Sequence, residues 1–230
     1  MTPHHRLKPG AAVTPPVTAW FRVPAVWQLL REHFRSIAHR HVVVWSGGCC
    51  SGQEPYSAAF TLMAAGVPSW EVVGTDINAD LLRVARRGRY PVADVHYEIP
   101  AAAAAQFFNK QGSEYVVPPA VRRRVRFERA SLAVDAPPRC DVALVRNCWR
   151  HIDRRAQAVL AARLAEMLPN DGFVVVGGAD LWTPPLASAA VRDGLRPPGD
   201  CVPNALSSNF RVGSHPMIWQ KKTPEPAVNL

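Results

Sequence analysis

The stretch from Val42 to Ser57 limits the folds open to this chain more than any other. Val42, Val43, Val44 and Trp45 are β-branched or aromatic and favour a buried strand. Ser46-Gly47-Gly48-Cys49-Cys50-Ser51-Gly52 is a run of small residues that breaks it. Beyond Pro55 the chain turns to Ala, Leu and Met, and Ala58 to Ala65 has helical character. Proline suits a first helical turn, where its missing N–H has no partner to lose. A strand, a glycine-rich turn and a helix in that order predict an α/β fold with a nucleotide-like ligand in the crevice beyond the strand's carboxyl end. Gly48 and Gly52 would let the backbone approach that ligand closely.

The chemistry of the loop narrows the ligand. The loop lacks G-x-G-x-x-G dinucleotide spacing and the Lys-Ser/Thr pair that grips a triphosphate. It carries instead a carboxylate, Glu54, at the mouth of the helix. That charge repels a pyrophosphate and welcomes a cation. A second acid, Asp76, ends the strand-like run Glu71-Val72-Val73-Gly74-Thr75-Asp76. It falls about 24 residues past Gly52, where such folds place the acid that grips ribose hydroxyls. The two acids point to an adenosine-bearing ligand without phosphates.

The run Trp45-Ser46-Gly47-Gly48-Cys49-Cys50-Ser51-Gly52-Gln53-Glu54-Pro55-Tyr56-Ser57 resembles the W-S-A-G-C-S-T-G-E-E-P-Y-S motif of the CheR-type chemotaxis receptor methyltransferases. These enzymes use S-adenosyl-L-methionine to esterify receptor glutamates. Thr18-Ala19-Trp20-Phe21-Arg22 resembles their T-x-F-F-R entry, and Thr75-Asp76-Ile77-Asn78 their T-D-I-N. Arg146-Asn147, followed by Ile152-Asp153, is similar to their R-N-V-x-I-Y-F-D. The four motifs occur in family order and together span about residues 14–180.

This resemblance implies a Rossmann-like class I methyltransferase sheet with a small β-subdomain inserted at about 94–130. An N-terminal arm would occupy 1–17, the methyltransferase domain 18–222 and a tail 223–230. The cofactor would be S-adenosyl-L-methionine and the product S-adenosyl-L-homocysteine. Carried over residue by residue, cofactor binding falls to Thr18, Arg22, Gly48, Gly52, Glu54, Asp76, Ile77, Ser131, Leu132 and Asn147. Glu54 would face the amino or sulfonium end, Asp76 the ribose hydroxyls and Ser131-Leu132 the adenine. Asn147 would lie at the methionyl or acceptor region. Arg22 and His151 would be the catalytic residues, Arg22 orienting the acceptor.

The chain also departs from the family. Only residues 1–17 precede the entry motif, so the family's helical N-terminal domain is expected to be lacking. Gln53 stands where the family has Glu, Val23 where it usually has an acid, Ser131 where it has Asn and His151 where it has Tyr. A histidine offers a proton acceptor with a pKa near 6.5, which a carboxylate acceptor does not need but a hydroxyl or amine acceptor does. Three readings therefore stand side by side. The first is methylation of a carboxylate, on a protein or a small molecule. The second is tailoring of a hydroxyl or amine on a small biosynthetic molecule. The third is a module that holds cofactor without turnover.

Elsewhere the pattern is that of an alternating α/β chain. Trp27, Leu30, Phe34 and Ile37 recur at helical steps after Pro24, and Asp80–Arg87 is a second short helix ended by Gly88. Val121, Arg123, Val125 and Phe127 alternate as a half-exposed strand. Asp141–Val145 reads as the fourth core strand, Asp153–Leu168 as a long amphipathic helix and Phe173–Val176 as the strand after it. Residues 183–209 suggest a long loop of the kind that covers active sites, and Phe210–Val212 with Met217–Trp219 a closing hairpin.

Composition sets outer bounds. With 48% hydrophobic and 20% charged residues, 230 residues suit one folded domain. No apolar run has the length of a membrane span and no signal-peptide pattern opens the chain, so a cytoplasmic protein without membrane contact is expected. The five cysteines show no C-x-x-C spacing, so no metal site is expected; Cys49 and Cys50 are small fillers or reactive thiols. The net charge of +9 favours an acidic partner, with Arg122, Arg123, Arg124 and Arg126 as the face to meet it, and leaves nucleic acid open as an acceptor.

Overall fold

The computed structural model describes residues 18–177, 206 and 209–222. The arm at 1–17, the loop at 183–205 and the tail at 223–230 lie outside the described residues. Helix α1 (Pro24–Ser36) leads into strand β1 (Val42–Gly47), helix α2 (Gln53–Ala64), strand β2 (Trp70–Asp76) and helix α3 (Ala79–Arg87). A lobe follows, made of β3 (Arg89–Pro91), α4 (Val92–Glu98), α5 (Ala101–Phe107), β4 (Asn109–Gln111) and β5 (Glu114–Val116). The chain returns through α6 (Pro119–Arg122) to β6 (Val125–Arg129), then β7 (Val142–Val145), α7 (Arg154–Met167), β8 (Phe173–Val176), β9 (Phe210–Val212) and β10 (Ile218–Lys221).

Among the described residues seven strands form one sheet in the order β6-β2-β1-β7-β8-β10-β9. The first five are parallel, and β10 runs antiparallel to both β8 and β9. This is the Rossmann-like class I arrangement. Strands covered on both faces can afford unbroken apolar runs rather than alternation. Val42, Val44 and Trp45 of β1, all four residues of β7 and Val174–Val176 of β8 are accordingly buried. After β1 the chain adds strands on one side of it, then crosses to the other side with β7. The order therefore reverses between β1 and β7, and a crevice opens there at the strands' carboxyl ends.

The inserted lobe differs from its expected limits of 94–130. Its sheet, β3-β5-β4, is antiparallel and runs from Arg89 to Val116. Val125–Arg129 belongs instead to the main sheet, pairing in parallel with β2. The physical reason is that β6 is the sheet's edge strand. Val125 and Phe127 are buried while Arg126, Glu128 and Arg129 face solvent, and that alternation mimics a strand of a small, half-exposed sheet.

A cluster of aromatic rings fastens the entry segment to α2 and to the lobe. Trp20 meets Tyr90 and Phe108 edge-on at 4.9 Å, and Phe60 of α2 stacks on Phe107 at 4.9 Å. Phe60 also faces Trp20 and Phe21. Such pairs add to the area they bury, because ring edges carry positive and ring faces negative charge density. Truncating the shared ring, Phe60→Ala, is expected to destabilise the fold by about 3–5 kcal/mol. Denaturant unfolding measures this, and hydrogen exchange should show the lobe losing protection along with α2.

Candidate active site

The loops at the carboxyl ends of β1, β2, β6, β7 and β8 converge on the crevice. The β1–α2 loop turns twice through left-handed backbone, at Gly48 (φ 70°) and at Gly52 (φ 96°), the residue that precedes α2. Gly52 is needed for protein packing as well as for backbone freedom: a Cβ there would lie 2.8 Å from the Ala85 Cβ and 3.0 Å from the Tyr90 hydroxyl. Tyr90 in turn donates to the Ser51 carbonyl at 2.7 Å, so α3 and the lobe hold the loop from behind.

Asp76, at the end of β2, is buried. Its two oxygens accept one backbone N–H each, from Cys50 at 2.9 Å and from Asn78 at 2.8 Å. Each oxygen keeps a second lone pair for a ligand. Ile77 beside it is 65% exposed, an apolar surface next to a carboxylate. Leu132, after β6, packs over the loop, where a Cβ on Gly47 would meet its Cδ2 at 2.6 Å. Ser131 is engaged locally: its N–H donates to Asp135, and its hydroxyl accepts from Ala133.

Glu54, in the first turn of α2, accepts from the Ser46 hydroxyl at 2.8 Å and pairs with Arg146 at 3.5 Å. Arg146 stands in the fourth motif but is given no role at the site by the sequence, and its side chain is only 1% exposed. It also donates from Nη2 to the Arg22 carbonyl at 2.6 Å and lies over the Trp27 ring. The Arg22 carbonyl accepts from Trp27 Nε1 as well, at 3.0 Å. Arg22 is flanked by Phe21 at φ 45° and Val23 at φ 59°. Left-handed backbone is unfavourable for any side chain and most of all for a β-branched one. Among the described residues the non-glycine residues with such φ are Phe21, Val23, Cys50 and Asn147; three lie within the motifs and Val23 directly follows the first. Strain gathered in this way marks a place whose geometry the surrounding structure enforces.

Asn147 (φ 59°) packs against Gly177, the residue after β8; a Cβ on Gly177 would fall 2.4 Å from Asn147 Oδ1. Sequence reading stopped at Val176 and missed this glycine, although a glycine directly after a buried strand was the available signal. Thr18 is half-buried at the start of the entry segment. His151 is exposed on the single 3-10 turn Trp149–His151 and is not drawn into the network of Arg22, Glu54 and Arg146. A different imidazole comes close: His215, in the turn between β9 and β10, accepts from Met217 N at 3.2 Å. Burial and then the positive charge of Arg146 hold its pKa below the ordinary value, so it is neutral at physiological pH. The sequence offers no spacing that links His215 to this site.

The loop sits in negative potential. Burial comes first, and Asp76 and Glu54 then add to it, pushing the Cys50 thiol up to about 12. Burial also raises Cys49, with Asp76 next. Both cysteines are therefore protonated fillers. Two carboxylates at the loop, Asp76 and Glu54, disfavour phosphate and favour a cation, and Asp76 offers two acceptors to a diol. These features match the needs of a cationic adenosine cofactor, and Ile77 and Leu132 add apolar surface beside the acids. Among the described residues no group of three His, Cys, Asp or Glu is placed to hold a metal ion.

A parallel sheet whose order reverses at two carboxylates, with no phosphate-binding geometry, defines a nucleoside-cofactor site of the class I methyltransferase kind. The family model described as "CheR methyltransferase, SAM binding domain" matches residues 16–184, and the chain belongs to this family. S-adenosyl-L-methionine is accordingly its cofactor. The chain is 29% identical over 180 residues to the chemotaxis protein methyltransferase of Salmonella typhimurium, covering 74% of this chain and 62% of that protein. It is 25% identical over 224 residues to an uncharacterized 104.1 kDa protein of Rhodobacter capsulatus, covering 92% of this chain and 21% of that protein. The chain thus spans about three fifths of one relative and a fifth of the other. A solved O-methyltransferase family protein from Burkholderia thailandensis aligns over 87% of this chain and 57% of that one, at 16% identity and a TM-score of 0.49. No described helix is long and apolar enough to cross a membrane.

Two outcomes are expected. Asp76→Ala should weaken binding of S-adenosyl-L-homocysteine by about 1–3 kcal/mol in calorimetric titration, the cost of leaving buried hydroxyls without their acceptor. Iodoacetamide at pH 8 should label Cys50 in the folded protein on the order of a hundredfold or more slowly than in the unfolded chain, because only the thiolate reacts. Peptide mapping by mass spectrometry reads the rate at that cysteine.

Proposed function

We propose that this chain transfers a methyl group from S-adenosyl-L-methionine to a carboxylate oxygen of a protein acceptor. The observation that carries the reading is the backbone of Arg22, held by Arg146 and Trp27 through its carbonyl and flanked by two left-handed residues. That arrangement holds the Arg22 backbone beside the entry segment, and the charge of its side chain acts on the Cys50 thiol. A guanidinium there can hold a carboxylate by two parallel hydrogen bonds.

The bound cofactor supplies a methyl carbon activated by a cationic sulfur. The chain's own residues supply position. Asp76 would hold the ribose diol, Glu54 would lend negative charge near the sulfonium and amino groups, and Asn147 would sit at the methionyl or acceptor side. Thr18, Gly48, Ser131 and Leu132 would complete the cofactor's enclosure. A carboxylate is already ionised at neutral pH, with a reference pKa of about 4, so no base has to take a proton from it. Orientation alone can contribute roughly 7–11 kcal/mol. The exposure of His151 and its separation from the buried network fit an acceptor of this kind.

The second reading, a hydroxyl or amine acceptor on a small molecule, draws on one observation: the neutral His215 within the field of Arg146 could accept a proton. The protein acceptor is favoured by the family and by the chemotaxis protein methyltransferases among the relatives. The cytoplasm, where soluble acceptors and cofactor meet, is the proposed location. The arginines at 122–126 form the surface proposed to meet an acidic partner.

Methyl groups labelled in S-adenosyl-L-methionine and transferred to an acidic acceptor protein should be released as methanol by mild alkali, as only esters are. Label that resists alkali would support the hydroxyl or amine reading instead. Arg22→Ala should lower kcat while leaving S-adenosyl-L-homocysteine affinity nearly unchanged, with Arg22→Lys partly restoring turnover. The rate should be indifferent to His151→Phe between about pH 6 and 8, since an ionised carboxylate needs no base.

A further inference from the structure

A second cleft, enclosing ≈ 570 Å³, opens beside the sheet edge and is lined by none of the residues assigned to the cofactor. Arg86 of α3, Arg122 and Arg123 at the end of α6, and Arg126 of β6 stand around it. Its apolar lining comes from Tyr56, Pro119 and Phe127 among others. The charges are not balanced within the protein. Glu71 and Glu128 both pair with Arg126. Arg86 donates from Nη2 to the Phe127 carbonyl at 2.7 Å, a neutral partner. Among the described residues Arg122 and Arg123 have no hydrogen-bonded or ion-paired partner for their side chains. Arg124, part of the same run in sequence, turns away to lie over the Trp70 ring and bond the Pro68 carbonyl.

We propose that this cleft binds an acidic peptide segment of a protein partner, its carboxylates on Arg86, Arg122 and Arg123 and an apolar side chain against Pro119 and Phe127. The proposal rests on the reading that the arginine run meets an acidic partner, and it replaces Arg124 with Arg86. Two unpartnered guanidinium forks, Arg122 and Arg123, and a third at Arg86 whose one bond goes to a neutral carbonyl, stand around a part-apolar floor and suit carboxylates on a short chain. The partner does not join as an extra strand, because Arg86 already occupies the Phe127 carbonyl on the edge strand β6. Nucleic acid fits less well. Single strands bind by stacking bases on rings, and here Tyr56 is 1% and Phe127 7% exposed, while Glu128 puts a like charge on the wall.

The test is fluorescence anisotropy of a fluorescein-labelled Glu-Asp-Phe-Glu-Asp peptide with the full chain, in the absence of cofactor. Saturable binding that weakens as salt rises is expected, with none for a Gln-Asn-Phe-Gln-Asn control. The double variant Arg122→Gln, Arg123→Gln should lose about tenfold in affinity, and Arg86→Gln should lose affinity as well. Arg35→Gln, on the exposed last turn of α1, should lose nothing. Thermal melts by circular dichroism verify that each variant is folded. Absence of saturable binding, an unchanged affinity in the double variant, or tighter binding of a single-stranded oligonucleotide of equal length would each overturn the proposal. Because binding is read without cofactor or methyl transfer, it can fail while carboxylate methylation stands, and the reverse.

Discussion

The buried guanidinium of Arg146 is the constraint on which the rest of the site depends. It comes off the end of β7, at the reversal of strand order, and reaches two ways. On one side it meets Glu54 on α2; on the other it meets the carbonyl of Arg22. Taking a charge out of water costs several kcal/mol, and it is tolerated only where partners surround it. Glu54, the Arg22 carbonyl and the Trp27 face are those partners, so the three segments that supply them are not free to move independently. The entry segment, which in sequence stands well ahead of the cofactor motif, becomes part of the same rigid unit.

That linkage accounts for where the backbone is strained. Phe21 and Val23 take left-handed conformations on either side of the carbonyl that Arg146 grips, and Asn147, the next residue after Arg146, does so too. Cys50 takes the fourth, with its N–H on Asp76. Each deviation costs of order 1–3 kcal/mol and persists because packing over-determines it. The aromatic cluster around Phe60 supplies much of that packing from behind, fixing Trp20 and Phe21 over α2.

Charge is arranged in two zones with different purposes. In the crevice, burial raises the two thiols and the negative charges of Asp76 and Glu54 add to it, while the charge of Arg22 acts on Cys50 in the opposite sense. At the sheet edge the balance is reversed, with Arg86, Arg122 and Arg123 uncompensated around a partly apolar cleft. The acidic crevice and the basic edge thus lie at separate places on one small domain.

The sequence by itself determined the central motif and its consequences. The Val42–Ser57 run, the acid at Asp76 and the helical spacing after Pro24 are local patterns, and local patterns dictate strand, turn and helix without knowing their neighbours. The sheet type and the kind of cofactor follow from them. Only the tertiary structure decided the rest, because it depends on partners distant in sequence. Val125 and Phe127 alternate in the same way whether they edge a small inserted sheet or the main one, and pairing with β2 chose the latter. Gly52 reads in sequence as a ligand-facing glycine, and only the fold adds Ala85 and Tyr90 packed against it. The exposure of His151, the Arg146 charge acting on His215, the burial of Arg146 and the turning away of Arg124 from its own run all arise the same way. Each is set by which surface the folded chain happens to press against that side chain, and no spacing in the sequence encodes it.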